Sequence, residues 1–223
     1  MSKSRFSAAF CFLLVAVCRP PVSAIPLTPF PEVRFKALLN AAPKVTPQAL
    51  RAALTAWTRL RAAGAAVRAD RLMVIDYAKP ATQPRLWVFD LVANRLLFEE
   101  PVAHGRNSGN DRSIHFSNEP GSLMSSLGVF LTAETYIGRH GLSLRLQGME
   151  KGINDNSMDR AIVIHAANYV RRGGPIGRSW GCPAVRPEIS RALIEAVRGG
   201  TLLLSYYPEK SWLQASTLAG LSS

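Results

Sequence analysis

The sequence predicts a mainly β domain with peripheral helices, and three observations carry that expectation. Glycine (16) and proline (15) are both plentiful, which favours short strands joined by turns. From Arg71 onward the apolar residues fall in short runs rich in Val, Ile, Leu and aromatics, punctuated by turn residues. Helical spacing is confined to stretches before residue 65 and after Pro187.

In chain order, prolines at 26, 29 and 31 mark a linker, followed by a short helix around Val33–Ala41. Thr46 is placed to cap a second helix, with Pro47 in its first turn. Leu50, Leu54, Trp57 and Leu60 give that helix an apolar stripe, and Gly64 ends it. Leu72–Asp76, Leu86–Val92 and Leu96–Ala103 read as an antiparallel meander, with Asp76 and Asp90 as turn or surface carboxylates. The polar loop His104–Asp111 follows, too rich in hydrogen-bonding side chains to be buried and placed to line a cleft through His104 and Arg106. A serine-rich approach, 121–127, leads into a strand through Thr132. A Gly-Arg-His-Gly turn at 138–141, a strand Leu142–Leu146 and a buried strand Ala161–Ala166 come next. A helix from Pro187 to Val197 stops at Gly199-Gly200, and Thr201–Tyr207 is the final strand.

The composition is that of a globular chain, with 48% apolar and 19% charged residues. Lys3 and Arg5 precede an apolar run from Phe6 to Val17, and Val22-Ser-Ala24 supplies small residues at cleavage positions. This reads as a secretory signal peptide over 1–24, since the run is too short to span a bilayer. Export to the periplasm or cell wall is the expected location. Val17 stands where a lipid-anchor motif before Cys18 needs a small residue, so no anchor is expected. No later stretch reaches the length of a transmembrane helix. Loss of Lys3, Arg5 and Arg19, with no acid, takes the formal charge from +12 to +9. That charge permits nucleic acid, a membrane surface or an acidic cell-wall polymer as a partner, or serves solubility alone. Nucleic acid is not expected, because no helix-turn-helix, zinc-finger or RNA-binding signature is present.

Cys11 and Cys18 leave with the signal peptide, so Cys182 is left without an intramolecular disulfide partner. Gly181 and Pro183 flank it in a loop rather than in an apolar run. His165 ends the buried strand seventeen residues earlier, with a turn-rich segment between. A cysteine is a strong nucleophile only as thiolate, and a nearby imidazole is the usual means of producing one. The Ser179–Cys182 backbone can aim N–H groups at one point, as an oxyanion requires. Asp159 precedes the strand, so a backbone carbonyl near Ala166 is the preferred orienter of the imidazole. His104, His115, His140 and His165 lack metal-ligand spacing, and no cofactor or metal is expected. A lone Cys excludes intrachain dithiol exchange. The missing Gly-x-Ser-x-Gly motif argues against an α/β-hydrolase.

These residues, in order, resemble a known family. Val102-Ala-His-Gly-Arg106, Ser126-Leu-Gly-Val-Phe130, Ala161-Ile-Val-Ile-His165 and Gly177-Arg-Ser-Trp-Gly-Cys-Pro-Ala184 are similar to murein L,D-transpeptidase catalytic-domain proteins of the YkuD type, second subfamily. The resemblance implies a β-sandwich or barrel over residues 69–209, flanked by a helical extension (25–68) and a tail (210–223). It implies cysteine-dependent acyl transfer on peptidoglycan stem peptides, to an amine or to water. A non-catalytic wall-binding protein of the same fold is the alternative from another class. By position, Cys182 is the nucleophile, His165 the base, and Gly181 with Cys182 the oxyanion donors. Ser126 and Gly128 fall on the acyl-donor side, and Arg178, Ser179 and Trp180 on the loop facing substrate. Trp180 stands where the family has a second His, Ala184 where it has Asn or Arg, and Ala166 where it has Gly.

Overall fold

The structure, a computed structural model, describes residues 31–220; the expected signal peptide, Cys11 and Cys18 lie outside them. Two helices come first, α1 (Glu32–Ala41) and α2 (Pro47–Ala62). Strands β1 (Arg71–Asp76), β2 (Leu86–Asp90) and β3 (Arg95–Glu100) form the expected antiparallel meander. The hairpin β4 (Gly128–Gly138) and β5 (Gly141–Gly148) turns at Arg139-His140. Strand β6 (Val163–Ala166), the two-residue β7 (Ala184–Val185), α3 (Pro187–Val197), β8 (Leu202–Tyr206) and α4 (Lys210–Ala215) complete the chain.

Among the described residues the eight strands make one barrel-like sheet in the order β3-β2-β1-β8-β4-β5-β6-β7. The last strand in sequence is therefore central: β8 pairs parallel with β1 and antiparallel with β4. Strands β2 and β8 are buried at every position, as a strand covered on both faces must be. Leu50, Leu54 and Leu60 of α2 join that core, whereas Trp57 stays half-buried and donates its indole N–H to Arg68 O (2.9 Å). No described helix is long and apolar enough to cross a membrane.

The two ends of the sheet meet. Segment 103–106, just beyond β3, runs along the residues leading into β7, with Ala103 N–H donating to Ala184 O (2.9 Å). Ser179 N–H donates to His104 O (2.9 Å) and Arg106 N–H to Ser179 O (2.8 Å). This seam fixes the loop that carries Cys182.

Two expectations change here. Thr46 does sit at the start of α2, but its hydroxyl bonds to the Asp76 carboxylate, not to a helix N–H. Asp76 is accordingly fully buried, not at the surface, and also receives Ala78 N–H (3.0 Å). The second change concerns His104, which is fully enclosed. Arg85, also fully buried, donates to His104 Nδ1 (2.7 Å), so Nδ1 is an acceptor and the proton sits on Nε2, which donates to Gly109 O (3.1 Å). Protonating Nδ1 would aim a second cation at the guanidinium with no acceptor between them. Burial first, then Arg85, push His104 down to about 4, and burial lowers Arg85 to about 10.

That depressed histidine makes the fold acid-sensitive. Stability is whole above the unfolded-state value near 6.5 and is lost as pH falls toward 4, by roughly 3 kcal/mol from this group. Urea unfolding at pH 7.5 and pH 4 is expected to show a smaller acid loss in His104→Gln than in the wild type. Equal losses would place the acid sensitivity elsewhere.

Candidate active site

Register, rather than sequence distance, brings the site together. β6 and β7 pair in parallel with His165 opposite Ala184, so Cys182 lies two residues before the partner of His165. His165 Nδ1 lies 2.9 Å from Ala166 O. A carbonyl only accepts, so Nδ1 carries the proton and Nε2 keeps its lone pair, the tautomer a general base needs. The orienter is thus the backbone carbonyl expected from the sequence. Burial, and then the His140 charge, hold the His165 imidazole below its ordinary value, while its bond to Ala166 O opposes the shift. His140, exposed at the β4–β5 turn, stacks on the His165 ring with centroids 4.2 Å apart.

Cys182 is half-buried, and its Sγ donates to Ala161 O at 3.6 Å. The sulfur and the imidazole are each bonded elsewhere in this geometry. Burial pushes the thiol up, against the pull of the Val163 N–H and the Arg160 charge. A raised thiol and a lowered imidazole both favour the neutral forms at rest over a preformed ion pair. The thiol must exchange Ala161 O for the imidazole before its proton can be taken there. Ala161 itself has φ +52°, a left-handed conformation unusual for a residue with a Cβ, and strain of this kind is found where a fold places a working group.

Arg160 is the charged group that the sequence reading passed over. It donates to Ser117 O (2.6 Å), Met124 O (2.6 Å), Ser122 Oγ (3.1 Å) and Ser126 Oγ, and so ties segment 117–126 to the approach of β6. Its Nη2 lies 3.4 Å from where a Cβ on Gly181 would sit. Tyr169, in the loop between His165 and Cys182, is also close enough to feel the sulfur, and burial followed by that neighbour raises it to about 12.

The remaining expected site residues divide by exposure. Trp180 is 69% exposed on the nucleophile loop, and Arg106 is exposed on the facing one. Ser126 is buried, donating to Ser117 O (2.8 Å) and accepting from Arg160, so its hydroxyl is engaged within the wall. Gly128 (φ +101°) is buried where a side chain would strike Glu150 and Asn154, and it serves packing. Arg178 clasps Gly109 O (3.1 Å), Asn110 O, Ile176 O and Gly177 O (3.1 Å), joining the two loops. Ser179 is buried; its Oγ donates to Cys182 O (2.6 Å) and accepts from Gly181 N–H (3.1 Å). The Gly181 N–H, expected from the sequence as one of two oxyanion donors, is thus engaged within the loop. The Cys182 N–H has no partner among the described residues.

No group of three or more His, Cys, Asp or Glu residues placed to hold a metal occurs among the described residues. A groove of about 540 Å³ between the α1–α2 turn and the β1–β2 loop shares no lining residue with this site.

The chain matches the family model for the L,D-transpeptidase catalytic domain over residues 41–206. No curated protein matches it. Among solved structures it is similar to an L,D-transpeptidase from Mycobacterium smegmatis (14% identity, TM-score 0.40, covering 62% of this chain and 59% of that one). L,D-transpeptidase 3 from Mycobacterium tuberculosis gives 11% identity, a TM-score of 0.41 and coverage of 62% and 61%. The helical cell shape determining protein of Campylobacter jejuni gives 15% identity, a TM-score of 0.42 and coverage of 68% and 53%. The chain spans about three fifths or less of the length of these structures.

The resting electrostatics set a measurable titration. Alkylation of Cys182 by iodoacetamide is expected to reach half its maximal rate above the ordinary thiol value, and Arg160→Gln is expected to move that midpoint higher still. A midpoint below neutrality would mean a preformed ion pair, contrary to this geometry.

Proposed function

The chain belongs to the L,D-transpeptidase catalytic-domain family, and from that premise we propose that it transfers acyl groups of peptidoglycan stem peptides through a thioester on Cys182. One observation supports this most. A buried imidazole with a carbonyl-fixed tautomer and a free Nε2 shares a sheet edge with a half-buried thiol whose own N–H is unpartnered. In the proposed reaction His165 Nε2 takes the thiol proton as sulfur attacks the carbonyl after the third stem residue. The oxyanion is held by the Cys182 N–H. Collapse expels the terminal D-amino acid, whose amine receives the proton from His165, and leaves the thioester. An acceptor amine then gives transpeptidation, and water gives L,D-carboxypeptidation.

The neutral resting pair implies that the thiol proton leaves with the attack, not before it. Trp180, exposed next to the nucleophile, is placed to contact the incoming peptide. Export through the N-terminal signal would bring the protein to this substrate, outside the cytoplasmic membrane. A non-catalytic wall-binding role has one observation in its favour, the raised thiol bonded away from His165.

Incubation with tetrapeptide muropeptides, with and without an added amine, followed by mass spectrometry, tests the reading. Loss of the terminal D-residue is expected in the wild type and none in Cys182→Ala with its fold intact. His165→Ala is expected to slow turnover by about 10²- to 10⁴-fold. Amine incorporation against hydrolysis decides between the two acceptors. Peptide bound without any mass change would establish the binding role instead.

A further inference from the structure

The backbone of Gly181 and Cys182 offers four polar groups, and three are already paired within the loop's own surroundings. Gly181 N–H goes to Ser179 Oγ (3.1 Å), and Cys182 O receives Ser179 Oγ–H (2.6 Å). Gly181 O receives Ser125 Oγ–H at 3.0 Å. The fourth group, the Cys182 N–H, is unpaired. Without a partner inside the protein, this N–H is left available to an acceptor that a ligand brings.

Its direction is not free. The Gly181–Cys182 peptide is planar and trans, so the Gly181 C=O and the Cys182 N–H point in opposite directions. With the carbonyl drawn down to Ser125, the N–H faces away from the interior. Ser125 is itself buried and held at every polar atom. Its N–H donates to Ser108 Oγ (2.9 Å), its carbonyl receives Ser117 N–H (3.0 Å), and its Oγ receives Gly105 N–H (3.1 Å). The fully buried Tyr77 faces its hydroxyl from below. The space between Ser125, Tyr77, Gly181 and Pro183 amounts to about 10 Å³, barely one water, so the loop has no room to sink. Gly181 permits this approach because its φ of +128° suits glycine and a Cβ would come within 2.8 Å of Met124 O.

We propose that Ser125 is the positioning residue of the oxyanion site: by anchoring the Gly181 carbonyl it aims the Cys182 N–H at the carbonyl oxygen of the acyl donor. The proposal rests on the acyl-transfer reading above and adds a residue that does not touch substrate. Its role bears on a tetrahedral oxyanion and not on the thiol, so two reactions of the same sulfur separate it from a structural effect. Acylation by p-nitrophenyl acetate passes through an oxyanion, whereas alkylation by iodoacetamide does not.

In Ser125→Ala, acylation of Cys182 is expected to fall about 10- to 100-fold, with alkylation unchanged and the thiol's pH profile unmoved. Muropeptide turnover is expected to lose kcat with KM preserved. Acylation at the wild-type rate, or acylation and alkylation falling together, would overturn the proposal. If Ser125→Ala does not fold, Ser125→Thr is read in the same way. Its hydroxyl must keep the acylation-to-alkylation ratio at the wild-type value, and a ratio that drops overturns the proposal. Failure of the wild type to turn over muropeptides, with this ratio still dependent on Ser125, would count against the substrate reading alone.

Discussion

The main-chain bonds that close the sheet are the constraint on which the rest depends. Ala103 to Ala184, Ser179 to His104 and Arg106 to Ser179 join the residues after β3 to those before β7. A two-residue strand such as β7 would be a poor anchor by itself, because so few ladder bonds resist fraying. Held from one side by β6 and from the other by this seam, it becomes a fixed platform. Arg85, His104 and Arg178 reinforce the same junction, Arg85 through Val102 O and the other two through a shared acceptor, Gly109 O.

That platform governs the chemistry because both reactive groups are fixed through backbone. The Ala166 carbonyl sets the tautomer of His165, and the Gly181 carbonyl sets the direction of the Cys182 N–H. Side-chain charge plays the smaller part. Arg160 stands near the sulfur, but burial outweighs it and leaves the thiol neutral at rest. Desolvation protects such a thiol from adventitious electrophiles.

The parts of this arrangement that were legible in the sequence are those with local signals. An apolar strand ending in His165, a cysteine bracketed by Gly181 and Pro183, the bounds of α3 and the turn at His140 all declare themselves within a few residues. Arg160, Ser125 and Tyr169 gave no such sign, since their importance comes from what the register sets beside them. Segment 117–126 meets Arg160, and Ser125 meets Gly181, only after distant strands have paired. The same limit explains His104 and Thr46. Their residue types suggested a cleft wall and a helix cap, but a buried arginine and a buried aspartate, placed by tertiary folding, took their polar atoms instead.

The central position of β8 has a consequence for how the molecule comes to exist. Its partners β1 and β4 are both made earlier, and the pairing of Leu72 with Leu202 joins residues about 130 positions apart. Until the chain has grown past Tyr206, β1 and β4 each present an unpaired edge and the sheet has no middle. Contacts so distant in sequence slow folding, because the entropy of closing a long loop is lost before the strand pairing compensates. The sheet therefore stays in two halves, β1–β3 on one side and β4–β7 on the other, until β8 joins them.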